Sequence, residues 1–272
     1  MIPAVRRALT NAIGIVVALG VFALIWDVTL KVMDVNPYVG KTPVDVWHYL
    51  FGSGSVLGET SSANRDRLLS LLWVTLGHAS LGFVIGVTLS MLVAVVFTLV
   101  KPVEFMFMPL AMLMRTVPLM ATAPVIYLVF GGGKVTAALI VTVVVFFPVL
   151  VNVTLGFNSV SPQALDVIHV NGGNAWTVMR KVAIPTALPH ILASLRISVP
   201  AAITGAMLYE WLFTYVGLGA GIVSATTQSN FTEVWAIVAV ITVAAVALYA
   251  IAAIAEAAIL SWAGISTQDR PA

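Results

Sequence analysis

From Ser70 to Val100 the chain carries no Asp, Glu, Lys or Arg. A run of that length has few stable fates in water, but it matches the need of a bilayer core, which about 20 mainly apolar residues cross as a helix. Comparable stretches at roughly 10–30, 104–130, 135–157, 191–217 and 234–262 bring the predicted spans to six. Composition agrees, because 60% of the 272 residues are hydrophobic and only 9% are charged, with a mean hydropathy of +1.05. A soluble domain is roughly 25% charged. The fold class read from these features is all-α, a polytopic membrane protein with about six transmembrane helices.

The N-terminal stretch MIPAVRRALTNAIGIVVALGVFALIWDV couples a basic start to an apolar run, a pattern shared with secretory signals. No small-x-small cleavage site precedes Trp26-Asp27 and the run is long enough to span, so it reads as a retained first helix. Arg6, Arg7, Lys101, Arg180, Lys181 and Arg270 then all fall on one side of the membrane, the cytoplasmic side by the positive-inside tendency. The opposite side receives Lys134 and a segment in which Lys31, Lys41, Arg65 and Arg67 are offset by Asp34, Asp45, Glu59 and Asp66. The predicted order is an N-terminal helix at 1–30, an extracytoplasmic segment at 31–69, a transmembrane domain at 70–262 interrupted by a cytoplasmic loop at 158–190, and a cytoplasmic tail at 263–272. Within 31–69, a short interfacial helix is expected around Val44–Phe51, followed by a flexible Gly/Ser stretch.

The 158–190 interruption is the most informative part of the chain. Ser161-Pro162 pairs a capping hydroxyl with a proline suited to a first helical turn. Asn171-Gly172-Gly173-Asn174 breaks that short helix, and Ala175 to Val182 supports a second, with Arg180-Lys181 near its end. Pro185 and Pro189 each remove a backbone donor and are expected to mark the turn into the fifth span. The product is a helix–turn–helix knob standing out of the membrane.

Catalytic signatures are weak. GGGKVT at 131–136 lacks the G-x-x-x-x-G-K-[ST] spacing of a phosphate cradle, and the four histidines at 48, 78, 169 and 190 show no H-x-x-x-H arrangement. With no cysteine there is neither a thiolate metal site nor a cysteine nucleophile. The scattered basic residues indicate orientation rather than a nucleic-acid surface. Charged residues at membrane depth are costly and usually functional or paired. Arg115, Glu210 and Glu256 stand out on that ground. Glu210 and Arg115 are candidate translocation-pathway residues; the alternative for Glu210 is a structural partner for a neighbouring polar group, and that for Arg115 is a place near the inner surface where it holds helix geometry. Glu256 reads as an interfacial or packing residue. Gly82 and Gly86, spaced G-x-x-x-G, suit a close helix approach.

The knob resembles the cytoplasmic EAA loop of permease subunits of binding-protein-dependent ABC importers. Asp166 stands where that family has Glu, Val167 and Ile168 stand on its two Ala, Gly172 matches its glycine, and Gly173-Asn174 stand for Ala-Ser. Trp176 occupies a common aromatic position, Arg180-Lys181 the basic pair, Pro185 and Pro189 the proline ending, and Arg196 the arginine that opens the fifth span. TLGHASLGFVIGVTLSMLVAV at 75–95 and PLAMLMRTVPLMATAPVIYLVFGGG at 109–133 resemble further motifs of the sulfonate, taurine and nitrate branch, which includes carriers of thiamine precursors. The resemblance implies a type I, MetI-like permease fold in a bacterial plasma membrane with both termini cytoplasmic. It implies a homodimer forming the pathway, two ATP-binding subunits seated on the knob through Asp166, Val167, Ile168, Gly172, Gly173, Trp176, Arg180, Pro185 and Pro189, and a substrate-binding protein docking on 31–69 and 218–233. ATP and Mg would be held by the partner, with no cofactor in this chain, and the solute would be small and anionic or heterocyclic. The departure is DVI in place of EAA. The rival class is an ion-coupled secondary carrier, which would draw on intramembrane acids and inverted repeats; no internal repeat is visible.

Overall fold

The computed structural model describes residues 14, 17, 20–52, 55–56 and 59–265. Helix α1 occupies 20–32. It is followed by α2 (Pro43–Phe51), α3 (Ser61–Leu99), α4 (Lys101–Met114), α5 (Leu119–Phe130), α6 (Lys134–Asn158), α7 (Pro162–Val170), α8 (Ala175–Val178), a π-helical turn (Met179–Ala183), α9 (Ile184–Phe213), α10 (Leu218–Thr227) and α11 (Phe231–Trp262). The one ladder among the described residues is two residues long, pairing Ser55 with Thr60 and Val56 with Glu59. The fold is all-α in every other respect.

Four helical stretches are long and apolar enough to cross a membrane: α3, α6, the continuous stretch Ala175–Phe213, and α11. The pair α4 and α5 is apolar enough together to count as a fifth, but it is bent by 104° at its break, the geometry of a broken span or of a re-entrant loop. The first half of the predicted span at 10–30 lies mostly outside the described residues, as do most of the tail and Ser53-Gly54 of the Gly/Ser stretch, while 20–30 falls on α1.

The structure corrects several sequence expectations. The third span is not one helix. Pro118 has no N–H to give, takes an extended backbone (ψ 119°), and starts α5 afresh. Helix α3 begins at Ser61 rather than near Ser70, and its 39 residues reach about 58 Å at about 1.5 Å per residue. That is nearly twice the hydrocarbon thickness, so Arg65, Asp66 and Arg67 ride on a helical extension instead of a loop. The region after the fifth span, expected as a loop, contains α10. Pro185 and Pro189 do not end a helix: α8 runs through the π turn into α9, where the Ile184 N–H donates to the Met179 carbonyl five residues back. The widened turn lets the helix proceed into Pro185, at the first turn of α9, without an interior break.

Contacts divide the chain into two units, 1–69 with 222–240 and 70–221 with 241–272. In the larger unit α6 is the buried centre, with Ile140, Val141, Val145, Val149 and Val153 wholly inaccessible, and it packs extensively along α9. Close approach depends on small residues. A Cβ on Gly82 of α3 would strike Val141 and stand 2.8 Å from the Ala138 carbonyl oxygen. One turn on, a Cβ on Gly86 would stand 3.1 Å from Val145 Cβ. The seam is bridged by Thr142 Oγ1 donating to Gly82 O at 3.2 Å and Ser90 Oγ donating to Phe146 O at 2.9 Å. These are the short-range packing and hydrogen bonds that hold helices together where lipid gives no hydrophobic drive.

In the smaller unit the start of α11 carries the contacts. Trp26 stacks on Trp235 with centroids 5.0 Å apart, Trp235 Nε1 donates to Val39 O at 2.8 Å, and Tyr38 meets Phe231 edge-on. Arg67 pairs with buried Glu233 at 2.5 Å, and Asn230 Nδ2 donates to the same carboxylate at 2.9 Å.

Overpacking the α3–α6 seam should be costly and local. Gly82→Val is expected to destabilise the detergent-solubilised protein by about 1–3 kcal/mol, read as a lower thermal midpoint. Gly77→Ala, where a Cβ meets nothing within 4 Å, should leave the midpoint unchanged or raise it, since Ala is the better helix former.

Candidate functional site

The knob is assembled by caps. Ser161 starts α7, its side chain accepting from the Ala164 N–H at 3.4 Å, and Pro162 follows in the first turn. At the other end the Gly172 N–H donates to His169 O and the Gly173 N–H to Ile168 O, both at 2.9 Å. This closure needs Gly172 at φ +74°, a conformation that costs a side-chain-bearing residue roughly 1–2 kcal/mol. Gly173 is pressed against Ile168, leaving no space for a Cβ. Asn174 then caps α8, accepting from the Thr177 N–H and hydroxyl at 3.0 Å each.

The result has a buried and an exposed side. Met179 and Ala183 are buried at its root, and Leu165 is half-buried. Val170 (88% exposed), Val167 and Trp176 stand open, together with Asp166, Gly172, Arg180, Lys181 and Pro185. Ile168, Gly173 and Pro189 are half-buried. The exposed set combines apolar anchors with two cations and one anion, the composition of a protein-docking surface rather than of a solvated loop. Beneath it, Lys101 Nζ donates to Glu104 Oε2 and to Asn158 Oδ1, each at 2.7 Å, and Asn158 Nδ2 donates to Glu104 Oε1 at 2.6 Å. This triangle ties the start of α4 to the end of α6, immediately before the knob.

Glu210 lies elsewhere on α9 and is wholly buried. Thr75 Oγ1 donates to its Oε2 at 2.7 Å, the Gly219 N–H donates to the same oxygen at 3.1 Å, and His78 Nδ1 pairs with Oε1 at 2.8 Å. Thr75 also accepts from the Leu218 N–H at 2.9 Å. Gly217 (φ +94°) lies against the carboxylate so closely that a Cβ would overlap it. Three elements, α3, α9 and the start of α10, therefore close on one carboxylate. Of the two roles open to Glu210, pathway lining and structural pairing, this geometry favours pairing: it has no exposed surface in this chain and both oxygens are engaged. The partner residues Thr75, His78, Gly217 and Gly219 were missed in the sequence, although a threonine and a histidine three residues apart on a helix, and a Gly-Leu-Gly shortly after a lone glutamate, were the available signal.

Arg115 caps α4 at the bend and is exposed, with Thr116 and Val117 between it and Pro118. Glu256, 5% exposed, sits 3.1 Å from Arg196 Nε, and that guanidinium lies over Tyr249 at 5.4 Å. Arg196 thus holds α9 to α11.

Long apolar helices, a bent helix pair and an exposed knob are the features of a multi-pass membrane protein. The sequence from 68 to 262 matches the family described as binding-protein-dependent transport system inner membrane component. The chain belongs to that family of ABC importer permeases. It is 25% identical over 239 residues to the formylaminopyrimidine transport permease protein ThiX of Halalkalibacterium halodurans, covering 88% of this chain and 91% of the relative. To the taurine transport system permease protein TauC of Escherichia coli it is 25% identical over 258 residues, covering 95% and 91%. Among solved structures, a chain of the MetNI methionine ABC transporter in an inward-facing conformation aligns with TM-score 0.55 at 17% identity, over 73% of this chain and 94% of that one. At that identity the likeness supports the fold.

The buried carboxylate generates a stability prediction. Glu210→Gln replaces one accepting oxygen with an NH2 donor that faces other donors, and Thr75→Val strands the Leu218 N–H. Each is expected to cost about 1–3 kcal/mol, measured as a lowered thermal midpoint in nanodiscs, with His78→Gln milder because Gln can still donate to Oε1.

Proposed function

We propose that this chain forms the translocation pathway of an ATP-driven importer as a pair of identical subunits, and that the α7–α8 knob is where separate ATPase subunits seat. The observation that carries the reading is the knob itself, a doubly capped structure that exposes Val167, Val170 and Trp176 beside Arg180 and Lys181. Solvent alone gives no reason to present three large apolar side chains on so rigid a frame. Asp166, Val167 and Ile168 would meet the partner first, with Gly172 and Gly173 keeping the turn tight and Pro185 and Pro189 within the helix behind it. Placing the knob in the cytoplasm puts both termini there and ATP with Mg on the partner.

The solute would reach the pathway from a binding protein docked on the other face, at 31–69 and at the helix-bearing segment 218–233. The named relatives carry taurine and formylaminopyrimidine, which supports a small anionic or heterocyclic solute for this chain. Arg115 supports the anionic member of that pair, because it presents a cation at the break of a span. The engagement of Glu210 by Thr75, His78 and Gly219 supports a structural role for the acid on which an ion-coupled carrier would draw.

ATP drives such a cycle only through differential binding, so the closed ATPase pair must favour one permease conformation over another. In proteoliposomes holding the permease, its ATPase and its binding protein, taurine and formylaminopyrimidine are the first solutes to test. Uptake should stop without ATP and persist with a protonophore; the opposite pattern refutes the reading. Trp176→Ala and Val167→Asp should weaken ATPase association by more than about tenfold, as expected for a docking anchor, while the thermal midpoint of the permease alone stays near wild type.

A further inference from the structure

Helix α2 has two apolar faces and uses only one of them. Its inner face buries Val46 and Tyr49. At about 100° per residue, Val44, Trp47 and Phe51 gather within an arc of about 60° on another side, and they are 61%, 63% and 52% exposed. The Trp47 and Phe51 rings lie 4.6 Å apart and form one patch. Asp45 and His48, both exposed, border it.

The helix is fixed in place. A full capping box starts it, with the Thr42 N–H donating to Asp45 Oδ2 at 2.8 Å and the Asp45 N–H to Thr42 Oγ1 at 3.2 Å. Its far end is held by the first turns of α3, where Ser61 Oγ donates to His48 O at 3.2 Å and Asn64 Nδ2 to Tyr49 O at 3.5 Å.

One attachment lies beside the charged end of the apolar helix α1 and the other at the charged start of α3, a candidate membrane span. The chain after α1 folds back so that Gly40 packs on Leu30 and Val35, with a built Cβ 3.0 Å from Leu30 Cδ2. Pro43 is three residues further on, so α2 starts within about 10 Å of the last turn of α1. That turn is where the Asp27–Lys31 pair appears, a charged pair that suits the polar edge of a membrane. On the other side, Asn64 directly precedes Arg65-Asp66-Arg67, and the charge-free run of α3 begins at Leu68, about 6 Å further along the axis. Exposed apolar surface on α1 continues through Val32 and Met33 to Tyr38 and Val39, toward the start of α2.

We propose that the Val44–Trp47–Phe51 edge of α2 is a lipid anchor, lying in the headgroup and upper acyl layer of the bilayer. Its aromatic pair meets the zone where Trp is enriched at membrane interfaces, and a short amphipathic helix lying in that plane buries its free apolar edge there. The anchor fixes the height of the α1–α3 connection relative to the membrane. It rests on the spanning helices and not on how transport is driven.

The chain has no cysteine, so single-cysteine variants of the full-length protein can be labelled cleanly. Nitroxides at V44C, W47C, F51C, D45C and H48C would be read in vesicles of phosphatidylethanolamine and phosphatidylglycerol. Positions 44, 47 and 51 should be accessible to oxygen and several-fold less accessible to a water-soluble nickel relaxant than 45 and 48. V44C and F51C keep the test valid should W47C misfold. Equal nickel access at all five positions overturns the proposal. Shielding of 44 and 51 from both relaxants overturns it too, because it reports protein contact with a second copy, and shielding that appears only when a binding protein is added reports that partner instead. ATP plays no part in the readout, so failure here leaves the importer reading standing.

Discussion

A backbone amide in hydrocarbon has no water to turn to, and each irregularity in this chain occurs where that demand is answered from within. At the π turn the Ile184 N–H finds the Met179 carbonyl, and the next residue is a proline with no donor to satisfy. At the bend between α4 and α5, Pro118 removes one donor and Thr116 returns a hydroxyl to the Leu113 carbonyl at 2.7 Å. Where α9 ends and α10 begins, the freed N–H groups of Leu218 and Gly219 are taken by the Thr75 hydroxyl and the Glu210 carboxylate. Glu210 therefore serves as an acceptor for a backbone that must turn, and this accounts for a fully buried acid more directly than a contact with solute.

Much of this was legible because a bilayer simplifies the code. Charge-free runs located α3, α6 and α11, since no other solvent tolerates them. The caps at Ser161 and Asn174 and the break at Gly172 were readable because they are local: the residue that satisfies each backbone group is only three or four positions away. The short helix at Pro43–Phe51 was readable for the same reason. The closure around Glu210 was not, because it joins positions 75, 78, 210 and 219, and no local pattern connects an isolated acid to a threonine more than a hundred residues earlier. Prolines misled in both directions. Pro185 and Pro189 suggested a turn that a π-helical widening made unnecessary, whereas Pro118 ended a helix that hydropathy had drawn as one span.

The continuity of Ala175–Phe213 changes how the knob relates to the membrane. With a proline turn, α8 and α9 would have been hinged, and a force on the knob would have been absorbed at the joint. A single hydrogen-bonded path of 39 residues instead carries Trp176 at one end, Arg196 midway and Glu210 near the other. Its side contacts are specific: Met179 and Ala183 at the root of the knob, Arg196 on Glu256, Gly156 of α6 against His190 with a built Cβ at 2.7 Å, and Glu210 on Thr75 and His78.

On the proposed reading, that arrangement determines what an ATPase could move. Displacing the knob displaces α9 along its length, and α6 must follow, because Gly156 and Gly205 leave no slack in the α6–α9 seam: a Cβ on Gly205 would stand 3.3 Å from Val141 Cα. Helix α3 is held to α6 by Gly82 and to α9 by Glu210, so it belongs to the same body. The break at 115–118 lies outside these clamps, and α4 is tied at its start by the Lys101–Glu104–Asn158 triangle. On that reading the α4–α5 break, beside Arg115, is where the helical path of this unit is interrupted next to the cation that would meet an anionic solute.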